Sequence, residues 1–169
     1  LSYKIHGTSG ISAYVLCKQE LTWRQKIAKW LTGEEFNKYD YLYASRTVIK
    51  NRTYNPSVQG GFYGVDVWAE ADKIVRPCLA KGQTAYYEIV GYLPNGGFIQ
   101  KKYDYGCVPP NEGETYTPEK HFKVRIYRVT YTNVDGKVFE YTPRQVQQWC
   151  AQVGLTPVEE CYFGQAKDL

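Results

Sequence analysis

Short turn signals set between strand-like runs constrain this chain most. Pro94-Asn95-Gly96-Gly97 separates Thr84 to Leu93 from Phe98 to Tyr103, and Asp135-Gly136 separates Phe122 to Thr132 from Lys137 to Tyr141. Turns of this chemistry reverse the chain within a few residues, so the runs they join pair antiparallel. A parallel arrangement would need a long crossover at the same places. Two more strand-like pieces, Tyr3 to His6 and Ile11 to Cys17, flank Gly7-Thr8-Ser9-Gly10, whose small residues predict a tight connection with Lys4 on the strand just before it.

Helical patterns interrupt the strands at irregular intervals. Thr22 can cap a helix whose Trp23, Ile27, Trp30 and Leu31 recur on one face, with Gly33 to end it. A second helix is predicted from about Val65 to Leu79 through Val67, Trp68, Ala71, Ile74 and Val75, with Pro77 disturbing its end. Thr142-Pro143 supplies a cap and a first-turn proline for a third, running through Val153 with Gly154 beyond it. Such a succession predicts an α+β fold, largely antiparallel sheets with flanking helices. With 169 residues, no repeat and no Pro/Gly/Ser linker, the chain reads as one domain, residues 1–169.

Composition excludes several classes. At 43% hydrophobic and 22% charged residues, the chain is neither disordered nor collagen-like nor a coiled coil. No apolar run reaches the roughly 20 residues of a membrane span, and LSYKIHGTSG lacks the apolar stretch of a signal peptide. No membrane association is therefore expected. The five cysteines, Cys17, Cys78, Cys107, Cys150 and Cys161, are odd in number and form no CxxC pair, which argues against a disulfide framework and a zinc site and for a reducing, cytoplasmic setting. No grouping of His, Cys and Asp suggests a bound metal, and no Ser/His/Asp arrangement emerges. Net charge is +4, which suits a polyanionic partner without the dense basic stripe of dedicated nucleic-acid binders. Methionine is absent and a strand-like segment follows Leu1 at once, so the sequence is expected to be a piece of a longer protein.

The richest stretch chemically is Lys4-Ile5-His6-Gly7-Thr8-Ser9-Gly10. A lysine acts as a nucleophile only when its amine has lost its proton, and an ordinary value of about 10.4 means that burial or nearby positive charge must assist. Gly7 and Gly10 would let a nucleotide approach the backbone closely. By itself such a segment reads as a solvated lysine beside a common turn. Arg46 alone reads as a surface partner for Asp40 or Glu35. Glu88, between Tyr87 and Ile89, needs solvent or a partner. The tyrosines Tyr39, Tyr41 and Tyr43 suit sheet packing, with stacking on unpaired bases as the alternative.

Lys4-Ile5-His6-Gly7 resembles the nucleotidyl-acceptor motif K-x-D/H-G of the covalent nucleotidyltransferases, the superfamily of ATP-dependent ligases and messenger-RNA capping enzymes. His6 followed by Thr8-Ser9 is more similar to RNA ligases, especially the phage RNA-repair and trypanosome editing branch. Ser45-Arg46-Thr47 resembles the second element of that family, and Tyr86-Tyr87-Glu88-Ile89-Val90-Gly91 the third, which usually reads G-E-hydrophobic-x-G. The strand from Phe122 through Tyr127 stands where the family places an aromatic that stacks on adenine, with Phe122 and Val124 both candidates. The resemblance implies an incomplete nucleotidyltransferase (ATP-grasp-like ligase) catalytic domain, with Lys4 as covalent acceptor of AMP. Ile5, His6, Gly7, Arg46, Glu88, Phe122 and Val124 would then bind the nucleotide. ATP and Mg²⁺ would be required, and RNA with 5′-phosphate and 3′-hydroxyl ends would be the substrate.

Several positions depart from the pattern. Tyr3 stands where such ligases carry glutamate, and Tyr87 where they carry glycine. Past residue 130 neither an E-G-hydrophobic-V motif nor a K-x-K pair occurs, and Glu112-Gly113-Glu114 lies too early in the chain to replace the former. The expected cause is truncation of the catalytic domain, with Lys101, Lys102 and Lys167 as other cations. The resemblance also leaves open a DNA ligase, a capping guanylyltransferase, or a noncatalytic RNA-binding module of the same fold.

Overall fold

In the computed structural model, residues 2–18, 21–33, 37–51, 53–55 and 66–162 are described. Five strands, β1 (Thr8–Lys18), β2 (Asn37–Ser45), β3 (Gln83–Gly91), β4 (Phe122–Thr132) and β5 (Val138–Glu140), form one sheet in the order β2-β1-β3-β4-β5. Every neighbouring pair is antiparallel. Three helices accompany it, α1 (Trp23–Thr32), α2 (Val67–Val75) and α3 (Pro143–Val153), so the expected α+β class holds.

Local chemistry accounts for the helix ends. Thr22 and Thr142 each form a capping box with the glutamine three residues on, and Gly33 and Gly154 close the C-termini in left-handed backbone. Asp66 caps α2 by accepting from the Ala69 amide at 3.0 Å, and Pro77 turns the chain after Val75 into a single 3₁₀ turn, Arg76–Cys78. The predicted start of this helix at Val65 lies outside the described residues.

One face of the sheet and the helices α2 and α3 share a single core. Val67, Trp68, Ala71 and Val75 of α2 and Val146, Trp149 and Cys150 of α3 pack with Ala85, Tyr87 and Ile89 of β3 and Val124, Ile126 and Val129 of β4. Each fully buried Val or Ile among them contributes about 1.5–3 kcal/mol. A polar chain crosses the same layer. Ser12 Oγ donates to Asp72 Oδ1 at 2.7 Å and shares a hydrogen bond with the Tyr87 hydroxyl at 2.9 Å, and Asp72 in turn accepts from Arg76. Buried polar groups are stable only when satisfied in this way, and here they tie α2 to β1 and β3.

Two strand expectations and one turn need correction. Tyr3 to His6 is not a strand, and Gly7-Thr8-Ser9-Gly10 is not a turn, because β1 begins at Thr8 and pairs with β3 from there on. Phe98 to Tyr103 forms only an isolated bridge, Tyr92 to Phe98, after the turn at 94–97. The run containing Tyr39, Tyr41 and Tyr43 is the edge strand β2, and Tyr14 of β1 stacks on Tyr41 with ring centres 4.1 Å apart. All five cysteines are free thiols. No helix among the described residues is long and apolar enough to cross a membrane.

Candidate functional site

The strand register sets four chemically active residues in one row. Ser9 of β1 is opposite Glu88 of β3, and Glu88 is opposite Arg125 of β4. Directly opposed residues share a sheet face, and Ile89 and Val124, one step along, belong to the core. Ser9, Glu88 and Arg125 therefore point away from α2 and α3. On the other side of β1 the last ladder pair is Gly10 with Ser45, so Arg46 extends the row from the end of β2.

Glu88 is half-buried, and its Oε2 has no hydrogen-bond partner among the described residues. Burial pushes its carboxyl above the usual carboxylate range, and the Arg46 guanidinium draws it partly back. Arg46 is exposed and forms no ion pair among the described residues. Asp40 is engaged with the Tyr54 hydroxyl at 2.7 Å and the Tyr41 amide, and Glu35 lies outside the described residues. Ser9 is pinned from both sides. Its carbonyl accepts from Trp68 Nε1 of α2 at 2.8 Å, and its hydroxyl shares a hydrogen bond with Tyr127 at 3.1 Å. Tyr127 is the extra residue at a bulge, since Tyr86 opposes Arg128 and Tyr87 opposes Ile126.

Lys4 is held beside this row by anchors on either side of it in the chain. The Tyr3 amide donates to the Glu159 carbonyl at 3.1 Å, and Gly7 crosses β3 so closely that an added Cβ would lie 2.3 Å from the Ile89 carbonyl oxygen. Only glycine permits that crossing. Between the anchors, Tyr3, Lys4, Ile5 and His6 line a cavity of about 800 Å³ together with Tyr103, Tyr105, Arg125 and Glu159. His6 braces its wall, donating its amide to the Tyr105 hydroxyl at 2.6 Å and stacking on Tyr103 at 4.6 Å. Arg125 belongs to both the cavity and the row, and Glu119 holds it at 3.3 Å. The cavity offers aromatic walls and cations, and the neighbouring row, which shares Arg125 with it, offers one buried carboxylate oxygen on Glu88; planar rings and phosphate suit the former and a hydroxyl donor the latter.

The structure thus gathers Lys4, Ile5 and His6 in one cavity, with Gly7 holding the crossing, and sets Glu88 and Arg46 in the adjoining row. It does not bring Phe122 or Val124 to them. These two are 2% and 5% exposed, and Phe122 stacks on Tyr116 at 4.8 Å within the core. Both face the helices, so neither can stack on a ligand held by Glu88. Gly10 also has another role than admitting a nucleotide, since a Cβ there would lie 2.3 Å from the Tyr87 ring. Arg125, Tyr103, Tyr105 and Tyr127 escaped the sequence reading. For Arg125 the signal was present, because Lys123 and Arg125 alternate with Phe122, Val124 and Ile126.

Glu114 serves its own loop. Lys120 and the Asn111 amide hold its carboxyl down at about 2. Lys101 and Lys102 are exposed, and Lys167 lies outside the described residues. Among the described residues no group of three or more His, Cys, Asp or Glu could hold a metal ion. No protein-family model matches the chain, and no curated protein matches it.

Proposed function

We propose that this chain carries the adenylyltransferase site of an ATP-dependent RNA ligase with the nucleotidyltransferase fold, joining 5′-phosphate to 3′-hydroxyl ends through a lysyl-AMP intermediate. The observation that carries this reading is the buried, unpartnered oxygen of Glu88, in a row with Arg46 and with Arg125 of the Lys4 cavity. An orphaned acceptor costs stability unless a donor fills it, and a ribose hydroxyl is such a donor.

In this reading the Lys4 amine attacks the α-phosphorus of ATP. A P–N bond forms, the bond to the bridging oxygen of the β-phosphate breaks, pyrophosphate leaves, and the amine proton passes to solvent. AMP then moves to the RNA 5′-phosphate, and the 3′-hydroxyl displaces it. Arg46 and Arg125 supply charge to phosphate, and the aromatic walls of the cavity face the base. The described residues offer no cage for Mg²⁺, so the cation would enter on the triphosphate and neutralise its charge.

Labelled ATP tests the reading directly. After incubation with ATP and Mg²⁺, mass spectrometry should find AMP on Lys4, and Lys4→Arg should abolish it while preserving charge. Adduct on another lysine, or no adduct, refutes the assignment. Labelling by GTP instead would indicate a capping enzyme, and sealing of nicked DNA but not RNA a DNA ligase.

A further inference from the structure

Helix α1 is well capped yet buries none of its residues. Trp23, Ile27, Trp30 and Leu31 are 67%, 47%, 83% and 68% exposed. At 100° per residue they fall in one continuous stripe about 100° wide. Arg24 borders the stripe beside Leu31, Lys26 borders it beside Trp30, Lys29 lies on the opposite side, and the helix has no acidic residue. A contiguous exposed apolar stripe of this kind marks an interaction surface.

Against the expectation of no membrane association, which rested on the lack of a spanning segment and a signal peptide, we infer that α1 is an interfacial helix that lies flat on an anionic lipid bilayer, with its Trp/Ile/Leu stripe in the headgroup boundary and its flanking cations among the lipid phosphates. The features on this helix are those of in-plane membrane helices, an apolar face with tryptophan, cations on the polar side and few carboxylates. Other occupants fit less well. Single-stranded nucleic acid would use flat rings, whereas two of the four stripe residues are aliphatic. An enclosing protein groove needs apolar surface around more of the helix and free access to its ends, but α1 is tethered on both sides, between β1 and β2. The site described above is independent of this surface, because α1 joins the strand ends at Lys18 and Asn37, opposite the Gly10–Ser45 end.

Co-sedimentation of the full chain with vesicles of phosphatidylcholine containing about 30% phosphatidylserine tests the inference. Binding is expected to the anionic vesicles, with a blue shift of tryptophan emission, and should vanish with phosphatidylcholine alone and at about 0.5 M salt. Removing Arg24 or Lys26 should weaken partitioning roughly fivefold each, and Trp23→Ser with Trp30→Ser by about tenfold or more. Circular dichroism checks that the double variant folds, and Trp30→Ser alone replaces it where it does not. Absent or salt-insensitive binding, or binding indifferent to Trp30, overturns the proposal. So does an RNA affinity that falls with Trp30→Ser while vesicle binding is unchanged, or a dimer that Trp30→Ser converts to monomer.

Discussion

Replacing Glu88 separates a ligand-facing carboxylate from a structural one. Oε2 makes no hydrogen bond within the described residues, so truncation by Glu88→Ala removes no such contact from that oxygen. Stability should then change by less than about 1 kcal/mol, within roughly 2–4 °C in Tm for a chain of this size. Nucleotide transfer should respond far more strongly. A hydrogen bond to a charged acceptor is worth about 1.5–3 kcal/mol, so adenylylation should fall roughly tenfold to a hundredfold. Glu88→Gln adds a pH test. Burial raises the folded carboxyl's pKa above its unfolded value, so in the interval between the two the native state keeps a proton that the unfolded chain has released. Wild-type stability must fall as pH rises through that interval, and Glu88→Gln should remove that slope and raise stability above it by about 1 kcal/mol. The assays are thermal melts across mildly acidic to neutral pH and single-turnover transfer from labelled ATP. A loss above about 2 kcal/mol in Glu88→Ala with normal adenylylation would refute the reasoning.

Arg125→Ala should weaken nucleotide binding by about tenfold, measured by titration calorimetry, while costing under about 1 kcal/mol in a melt, because its partner Glu119 is 64% exposed. Gly10→Ala should destabilise by about 1–3 kcal/mol in denaturant titration, since the new methyl meets the Tyr87 ring at 2.3 Å. Phe122→Ala should cost about 3–5 kcal/mol in the same titration, as expected of a buried core ring and not of a base-stacking one.

What the sequence made legible was chemistry confined to neighbours in the chain. The caps at Thr22 and Thr142 and the stops at Gly33 and Gly154 depend on contacts within four residues, and all four stand as read. The Asp135-Gly136 reversal likewise joins β4 to β5. Readings that depended on strand register failed. Small residues at 7–10 suggested a turn, but the size limits at Gly7 and Gly10 come from β3, about 80 residues away in sequence. Phe122 and Val124 were candidates because an aromatic or apolar residue suits a base, whereas only the pairing with β3 reveals which alternate positions share a face with Glu88. Strand β2 was not read as an element, although Tyr39, Tyr41 and Tyr43 recur at the period of two that marks a strand.

Tyr87, a large residue next to Glu88 on β3, needs space on the core face that its neighbours must supply. Its opposite residue on β1 is Gly10, and the missing side chain there leaves room for the ring. The exchange of sizes across the strand pair brings a hydroxyl into the core, where Ser12 satisfies it and passes the connection to Asp72 and Arg76. That chain fixes α2 against the sheet, and the same helix presents Trp68 to the Ser9 carbonyl opposite Glu88. The bulky residue therefore becomes part of the support for the row it borders. Tyr87→Gly would leave a cavity and remove the hydroxyl that Ser12 shares, while the Ser12–Asp72 hydrogen bond remains, so the substitution should loosen α2 and weaken this row.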